Sequence, residues 1–509
     1  MIRREALSLL AGLALSPFAA RAQTAEPGLQ VGASEPFDPR VVVDRARDMA
    51  AGPYVPRPKI PQSWLDLSYD QYRSIWFDSR NALWENTETP QRVDVFPPGL
   101  YFPQAIELNT VEGGLARRVK FDLGVFDKTD QFPDVKLDDT LGYSGLRLRA
   151  ELHQEGIFQE YAVFQGASYF RGIGADEGYG LSARGLALKT GDPEGEEFPD
   201  FVAFWVERPE PGVKSVVLHA LLDSPSCTGA YRFDILPGDT LQMDISATIF
   251  ARTDLSRIGL APLTSMFLFD ETMRDRFSDY RPAVHDSDGL LIRNGYGEVI
   301  WRPLCNPVAL QLSAFSDENP RGFGLMQRAR RFSNFNDLEA LYHRRPSAWI
   351  TPQGDWGAGS VVLVEIPSDK EIYDNIVCFW RPSEPVPAGG ELSFRYALDW
   401  GDAPVPPSDQ RLRVIGTAIG GHLGDETVVV IDFENSALVP EDLARVELSL
   451  QSSKESLTHS AVQRNPETKG PRATFSFDPG DEDLIEFSAQ LRLDGTPLSE
   501  MWQYRWTSS

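Results

Sequence analysis

Three separated segments of the chain combine residue types that can do chemistry. Residues 285–289 read His-Asp-Ser-Asp-Gly, residues 374–377 read Asp-Asn-Ile-Val, and residues 164–171 read Phe-Gln-Gly-Ala-Ser-Tyr-Phe-Arg. Hydrolysis of a glycosidic bond needs a proton donor at the leaving oxygen and a base or nucleophile near the anomeric carbon, and two carboxyl groups can fill both roles. Asp286, Asp288 and Asp374 are therefore candidates for acid–base roles.

The surroundings of Asp374 favour the role of general acid. It follows Glu-Ile-Tyr at 371–373 and precedes the apolar run 376–380, which predicts a position at the mouth of a strand, half shielded by aromatic side chains. Such shielding raises the pKa of a carboxyl, as a general acid requires. An Asp before Asn at the start of a strand is also typical of an ordinary turn cap, so the pattern alone leaves both interpretations open.

The second acidic segment predicts a tight turn. Asp286 and Asp288 precede the apolar run 290–292, with His285 as a hydrogen-bonding neighbour. Asp-Ser-Asp-Gly is also common in turns without function. An EF-hand loop is excluded, because the bidentate Glu at its twelfth position is missing and Arg293 falls inside the loop.

The elements that must position these segments are predicted to be mainly strands. Several stretches after Val119 alternate apolar and polar residues with the period of two of a half-buried strand. The clearest of them are 145–152, 215–222, 240–251 and 361–366. Ahead of these, residues 39–51 and 64–84 carry helical patterns. Short strands, frequent turns and few long helices predict an all-β fold with a large β-sandwich over residues 23–401.

A polar, Pro-rich stretch at 402–410 predicts a stiff linker. It is followed by about seven short strand patterns, typical of a sandwich of roughly 100 residues. The clearest are 412–419, 428–433, 446–450, 473–477 and 485–493. Residues 411–509 are therefore predicted to form a smaller, immunoglobulin-like domain.

Composition narrows the range of partners. The chain has 509 residues, more than one domain of ordinary size, and 11% of them are aromatic. Its formal net charge of −25 argues against nucleic acid and against anionic membrane surfaces, because like charges repel. A neutral sugar polymer meets no such repulsion.

Residues 1–22 predict an export signal. Arg3 and Arg4 give a basic start, residues 7–20 are apolar, and Ala-Arg-Ala at 20–22 fits a cleavage site. The apolar stretch is shorter than the roughly 20 residues that span a bilayer. The Arg pair also resembles a twin-arginine signal, although Ala6 stands where a bulky apolar residue is usual, so both export routes stay open. A buried N-terminal helix is the alternative. We expect a periplasmic protein without membrane insertion.

The three cysteines, Cys227, Cys305 and Cys378, match no zinc or redox spacing. They are interpreted mainly as buried small apolar residues, although an oxidising compartment leaves one disulfide open. No metal or organic cofactor is predicted, because the six His residues are scattered and no Gly-rich segment has phosphate-loop spacing.

Taken in their order along the chain, these motifs resemble those of the periplasmic glucan biosynthesis proteins of the G and D type. These are bacterial proteins that act on osmoregulated β-1,2-glucans. The resemblance runs from Phe37 to Trp506. The motifs that carry it lie at 164–171, 178–185, 195–199, 224–231, 285–289 and 374–382. So many long motifs in one order are not expected by chance.

The resemblance implies two β-sandwich domains, the larger with a long cleft, and a glycoside hydrolase or transglycosylase that inverts the anomeric carbon. Asp374 corresponds to the general acid of the family, and Asp286 to the residue proposed as base through a relay of water and a substrate hydroxyl. Some relatives use a sugar hydroxyl in place of water and close the glucan through an α-1,6 link, so hydrolysis and cyclisation both stay open.

The implied partner is the β-1,2-glucan polymer, with a glucan synthase of the inner membrane as a further candidate. Monomer and homodimer are both open. Sugars are held by aromatic faces and planar hydrogen-bonding groups, although each such side chain is also compatible with a core or surface position. The candidates for substrate binding are Tyr169, Arg171, Tyr179, Arg184, His285, Asp288, Trp301, Tyr342, Arg344, Trp356 and Tyr373.

Two non-catalytic functions also fit the sequence. A scaffold for nascent glucan would bind the sugar without changing it. A protein-interaction factor in envelope assembly would not bind glucan at all.

Overall fold

A computed structural model describes residues 28–405, 411–421, 426–454 and 457–508. The predicted export signal at 1–22 lies outside the described residues, as do residues 406–410 of the predicted linker. Over the described ranges the protein is built almost entirely of strands, which confirms the all-β prediction. No helix in these ranges is long and apolar enough to cross a membrane.

The strands of the first half are short and closely spaced. They are β1 (Val31–Pro36), β2 (Ile75–Phe77), β3 (Gln91–Phe96), β4 (Glu107–Glu112), β5 (Leu115–Val119), β6 (Phe126–Lys128), β7 (Gly145–Glu151), β8 (Phe158–Gln165), β9 (Tyr169–Gly172), β10 (Ser182–Arg184), β11 (Ala187–Leu188), β12 (Asp200–Glu207), β13 (Val216–Asp223), β14 (Cys227–Leu236), β15 (Leu241–Ala251), β16 (Ile258–Ser265) and β17 (Phe267–Phe269).

The strands of the second half continue in the same manner. They are β18 (Val284–His285), β19 (Gly289–Arg293), β20 (Val299–Pro303), β21 (Gln311–Glu318), β22 (Gly322–Met326), β23 (Ser347–Gln353), β24 (Ala358–Glu365), β25 (Ile376–Pro382), β26 (Glu391–Gly401), β27 (Val414–Gly421), β28 (Thr427–Phe433), β29 (Val446–Ser452), β30 (Leu457–Arg464), β31 (Pro471–Phe477), β32 (Leu484–Leu493), β33 (Thr496–Pro497) and β34 (Met501–Thr507).

The helices are few and short. They are α1 (Arg40–Ala50), α2 (Gln62–Leu65) and α3 (Tyr69–Arg73), with single 3-10 turns at Ser79–Asn81, Leu123–Val125, Arg274–Arg276, Phe332–Asn334, Tyr342–Arg344 and Leu443–Arg445. The helix predicted at 39–51 is confirmed as α1, but the single helical pattern predicted over 64–84 is wrong. Ser68 caps α3 and so starts a new element, and the aromatic residues beyond it enter β2.

Two large sheets face each other. One has sixteen strands, in the order β1-β5-β4-β12-β13-β14-β15-β26-β23-β22-β19-β20-β34-β32-β29 with β33 beside β32; the other has ten, in the order β21-β24-β25-β16-β10-β9-β8-β7-β3 with β11 beside β16. In β15 every second residue from Leu241 to Ala247 is buried, as the side-chain alternation of a strand requires. The rings of Phe164, Phe170 and Phe233 meet between the sheets, with centroids 5.2–5.3 Å apart.

The C-terminal strands form two layers around their own apolar core. A four-stranded sheet, β27-β28-β31-β30, packs on β29, β32 and β34 through Phe475, Phe487 and Trp502. The sixteen-stranded sheet crosses into this region where β20 pairs in parallel with β34. The domain boundary at 402–410 therefore stays a prediction, because strand pairing joins the two sides of it.

The three cysteines are buried and free, as interpreted from the sequence. Helix α1 packs on the outer face of the large sheet, with Val42 and Ala46 buried against Trp205 and Phe250. The acidic segments lie beside β16, β18 and β25: Asp286 directly follows β18, and Asp374 shortly precedes β25.

Candidate functional site

The segment that carries Asp286 is fixed by the short β17–β18 pair. Phe267 of β17 lies opposite His285 of β18, and the backbone N–H of Asp286 donates to the carbonyl of Met266 at 2.8 Å. One residue further on, the hydroxyl of Ser287 accepts a hydrogen bond from Ser265 at 2.9 Å, with both side chains buried. The turn is therefore tied on both sides of Asp286 to residues 265–267.

The segment that carries Asp374 is fixed to the same residues by Asn375. The side-chain oxygen of this buried Asn accepts from the backbone N–H of Phe267 at 2.8 Å, and its amino group donates to the carbonyls of Phe267 and Ile366 at 2.9 and 3.1 Å. Its backbone N–H donates to Ser265. Residues 265–267 thus hold both acidic segments, which explains why Asp-Asn stands before β25.

Asp286 is buried, and its carboxylate forms an ion pair with Arg345. Burial raises the pKa of Asp286 to about 6, although the charge and hydrogen bond of Arg345 act in the opposite direction. The negative charge of Asp374 contributes to the same upward shift. Loss of hydration therefore outweighs the guanidinium, and Asp374 is close enough to influence the protonation of Asp286.

Asp374 lies at the surface immediately before β25. Its pKa is raised because the protein displaces much of the water around its carboxyl, while the charges of Arg171, Arg184 and Arg345 pull it down. The side chain thus combines access for a ligand with a pKa above that of a free Asp. Those two properties are what a general acid needs.

Tyr342 and Glu371 form the next layer. The Tyr342 ring is buried beneath the guanidinium of Arg345, 4.3 Å from the ring centre, and its hydroxyl donates to Glu371 at 3.0 Å. Glu371 is also paired with Arg281 at 2.7 Å, and Arg281 binds Asp337 at 2.8 Å. This chain of contacts fixes the side chain that holds Asp286.

Tyr169 and Arg184 reach the site from the ten-stranded sheet. Gly166, with a φ of 77°, allows the tight turn between β8 and β9, and Tyr169 then pairs with Arg184 across β9 and β10. The guanidinium lies 4.9 Å from the Tyr169 ring and is held by Glu196 and Thr264. Burial raises the pKa of Tyr169, and the charge of Asp374 adds to this.

The candidates for substrate binding fall into four groups. Tyr169, Arg171, Arg184 and Tyr342 surround Asp286 and Asp374, as their mutual electrostatic effects on pKa show. Tyr179 lies beside this group. Burial is the main cause of its raised pKa, the charge of Glu160 adds to the shift, and the charge of Arg171 opposes it.

His285 and Asp288 point away from Asp374. The His285 ring is stacked on Phe267 and meets Phe335 edge-on, and burial lowers its pKa to about 3, so the ring is neutral. Asp288 accepts hydrogen bonds from the backbone N–H groups of Arg328 and Ala329. Both residues line a cavity of about 660 Å³ that also touches Val414 and Thr417 of the C-terminal strands; neither Asp286 nor Asp374 lines it.

The two Trp candidates are packed in the interior. Trp356 is buried beside Trp380, Phe394 and Tyr396, and Trp301 is covered by Arg328, 3.6 Å from its ring centre. The Gly289 of the His-Asp-Ser-Asp-Gly motif is explained by this Trp301 ring, which occupies the space that a side chain at 289 would need.

The last two candidates are exposed. Arg344 is exposed, and its backbone accepts a hydrogen bond from the N–H of Gly178 and donates one to the carbonyl of Leu341. Tyr373 lies next to Asp374 with 53% of its surface exposed, so its ring is accessible to a ligand beside the candidate acid.

Sequence reasoning missed two residues of the cluster. The candidates for substrate binding include Arg344 but not its neighbour Arg345. Glu371 is named only as a residue that flanks Asp374. An Arg-Arg pair gives no local signal of which side chain points inward, since the choice depends on the 3-10 turn at Tyr342–Arg344. In the part of the chain that the structure describes, no group of three or more His, Cys, Asp or Glu is arranged to hold a metal ion.

The all-β sandwich thus brings two carboxyl groups, three guanidinium groups and buried phenols together at one face. The chain belongs to the family described as periplasmic glucan biosynthesis protein, MdoG, which it matches over residues 37–506. This confirms the resemblance drawn from the motifs.

Relatives agree over most of the chain. The protein is 46% identical over 476 residues to glucans biosynthesis protein G 1 of Shewanella oneidensis, covering 92% of this chain and 87% of the relative. The same figures hold for glucans biosynthesis protein G of Vibrio cholerae serotype O1.

Proposed function

We propose that this protein is a periplasmic glycoside hydrolase or transglycosylase that acts on β-1,2-glucan with inversion of the anomeric carbon. The observation that carries the proposal is the pair of carboxyl groups at Asp286 and Asp374. Loss of hydration raises both pKa values, and the charge of Asp374 adds to the shift at Asp286. The chain belongs to a family described by periplasmic glucan biosynthesis, which supports a glucan as the substrate and the periplasm as the compartment. An export signal at residues 1–22 would direct the protein there.

In the proposed reaction Asp374 donates its proton to the glycosidic oxygen as the bond from that oxygen to the anomeric carbon breaks. A water molecule forms the new bond to the anomeric carbon from the opposite face, and the proton it loses passes to Asp286. Asp286 is buried and paired with Arg345, so we infer that the proton reaches it through an intervening water or sugar hydroxyl. If a hydroxyl of the same glucan chain attacks in place of water, the product is a ring.

The surrounding groups support this division of roles. Arg345 favours the ionised form of Asp286, as a base requires. Arg171 and Arg184 oppose the protonated form of Asp374 but do not overcome the loss of hydration. Tyr169, Tyr373 and the guanidinium of Arg171 are the groups that we infer to contact sugar rings beside the acid.

The test is to incubate the purified protein with linear β-1,2-glucan and to follow the products by mass spectrometry over time. Shorter linear chains that have gained water indicate a hydrolase. Products lighter than linear chains by one water indicate a ring and therefore a transglycosylase. An unchanged polymer contradicts the proposal.

A glucan-binding scaffold is the second candidate function. It is favoured by the ion pair between Asp286 and Arg345, since a neutralised carboxylate is also an ordinary structural feature of a binding protein. Calorimetric titration with the same glucan separates the two, because a scaffold binds the polymer while the mass spectrum stays constant.

A further inference from the structure

The backbone after β22 connects three parts of the protein within three residues. Arg328 binds the C-terminal strands, the backbone of Arg328 and Ala329 binds the acidic turn, and Arg330 binds the backbone of Arg345. Neither Arg328 nor Arg330 is among the charged groups that shift the pKa of Asp374. Through these contacts the segment acts on Asp288 and Arg345, the two residues that position the carboxylate of Asp286.

The contact with the C-terminal strands is a buried, two-pronged ion pair. Both terminal nitrogens of Arg328 donate to Glu500, at 2.8 and 2.7 Å, and the side chain of Glu500 is 4% exposed. Val414 completes the arrangement: its N–H donates to Glu500 at 2.9 Å and its carbonyl accepts from Arg328 at 2.8 Å. The flat guanidinium lies on Trp301, which leaves it one orientation.

The contact with the acidic turn runs through the backbone of the same residues. One oxygen of Asp288 accepts from the N–H groups of Arg328 and Ala329 at 2.8 and 3.0 Å. The N–H of Asp288 donates to Met326 at 2.8 Å. Asp288 is two residues from Asp286, so a shift of the backbone at 328 moves the turn that carries the candidate base.

The third contact reaches the partner of Asp286. Arg330 donates to the carbonyl of Arg345 and to the hydroxyl of Ser347, the latter at 3.1 Å. It is itself paired with Asp402, where the chain leaves β26, at 2.6 Å. Both the base and the guanidinium beside it are therefore held from the same short segment.

A buried ion pair is a weak source of stability, because the loss of hydration offsets the attraction, but it does impose one geometry on the groups it joins. From this geometry we infer that Glu500, acting through Arg328, is a positioning residue for Asp286, so that the C-terminal strands are part of the catalytic machinery. The inference rests on the proposed function for its effect on turnover, and on the structure alone for its effect on the turn.

The experiment compares Glu500→Gln with Arg411→Gln in the full-length protein. Arg411 lines the same cavity as Arg328 and Glu500 but joins the C-terminal strands to the carbonyl of Gly297 at 2.7 Å instead of to residue 328, and it is the matched control. Hydrogen exchange measured by mass spectrometry over peptides 284–290 and 326–330 reports the turn without any substrate. We expect exchange about tenfold faster in these peptides for Glu500→Gln and unchanged exchange for Arg411→Gln.

Turnover of β-1,2-glucan is measured on the same samples. Because Glu500 does not face the sugar, kcat should fall about tenfold to a hundredfold while KM stays constant. Unchanged exchange in Glu500→Gln overturns the inference, and so does faster exchange with an unaltered kcat. If the unmodified protein does not process glucan, the proposed function fails, while the exchange result still decides whether Glu500 holds the turn.

A second variant covers the case in which Glu500→Gln does not fold. Replacing both partners, Arg328→Met with Glu500→Leu, removes the charges together and keeps the volume, a change that buried ion pairs often tolerate. A folded double variant with faster exchange in the turn and reduced kcat supports the inference. A folded double variant with the exchange and kcat of the unmodified protein overturns it.

Discussion

Arg345 pairs with the buried carboxylate of Asp286 and, at the same time, covers the ring of Tyr342 at 4.3 Å. The pKa of Asp286 is nevertheless raised to about 6. A cation in direct contact usually lowers the pKa of a carboxyl, so the upward shift shows that burial, assisted by the charge of Asp374, is the larger effect. The group is thereby adjusted to exchange its proton near neutral pH.

Replacing the candidate acid should stop turnover and leave binding intact. Asp374→Asn keeps the shape of the side chain but has no proton to donate, and we expect kcat on β-1,2-glucan to fall about 10²–10⁴-fold. Glucan affinity, measured by calorimetry, and the unfolding midpoint should not change. Asp369→Asn, an exposed carboxyl in the same loop, is the control and should be fully active. A fully active Asp374→Asn protein would remove the assignment.

Activity should depend on pH in the form of a bell. Asp286 must be ionised to accept a proton, so kcat/KM rises as pH passes through about 6. The opposite limb reports the loss of the proton that Asp374 must donate, and loss of hydration, which raises the pKa of Asp374, keeps that proton in place to higher pH than on an exposed Asp. A rate that is constant across the acid range would contradict the role of Asp286.

Removing the guanidinium should move the acid limb. Arg345 favours ionised Asp286, so Arg345→Met raises the pKa of Asp286 further and shifts the rising limb of the pH–rate profile to higher pH. The variant should also lose more stability at pH 8 than at pH 5, because an unpaired buried carboxylate is costly only when charged. Urea unfolding at both pH values measures this. Arg331→Met, at an exposed position, is the control and should match the unmodified protein in both assays.

Asp270 should make the protein less stable as pH rises. It is buried, and loss of hydration raises its pKa from 3.8 to about 7, with Glu271 adding to the shift. The folded state therefore holds a proton that the unfolded state has released, and the free energy of unfolding falls between about pH 4 and pH 7. Asp270→Asn should flatten this slope in urea unfolding. An equally steep slope in the variant would show that other groups cause it.

Trp356 should matter for stability rather than for sugar binding. Its ring is buried against Trp380, Phe394 and Tyr396, so Trp356→Ala removes core packing and should cost about 3–5 kcal/mol of unfolding free energy. Glucan affinity in the absence of denaturant should be unchanged. The reverse pattern, weaker binding at constant stability, would place this ring in the binding surface instead.

Much of the fold was predictable from local pattern. The alternation in Leu241–Ala251 and Gly145–Glu151 shows directly which face is buried, because a strand repeats every two residues whatever it pairs with. The prediction of one helix over 64–84 was wrong because its main signal was aromatic residues. A helix newly capped at Ser68 and a short strand at Ile75–Phe77 accommodate such residues equally well. Short apolar runs do not by themselves distinguish helix from strand.

The sequence by itself determined the all-β class, the family and the two acidic segments, because each depends on residues that are neighbours along the chain. Only the tertiary structure decided which side chains join those segments. Arg345 meets Asp286 across 59 positions of sequence, and Asn375 reaches Phe267 across 108. The tertiary structure also decided that Tyr169 and Tyr342 lie beside the carboxyl groups, whereas Trp301 and Trp356 lie in the core. Contacts at such separations depend on how sheets pack, which local patterns do not encode.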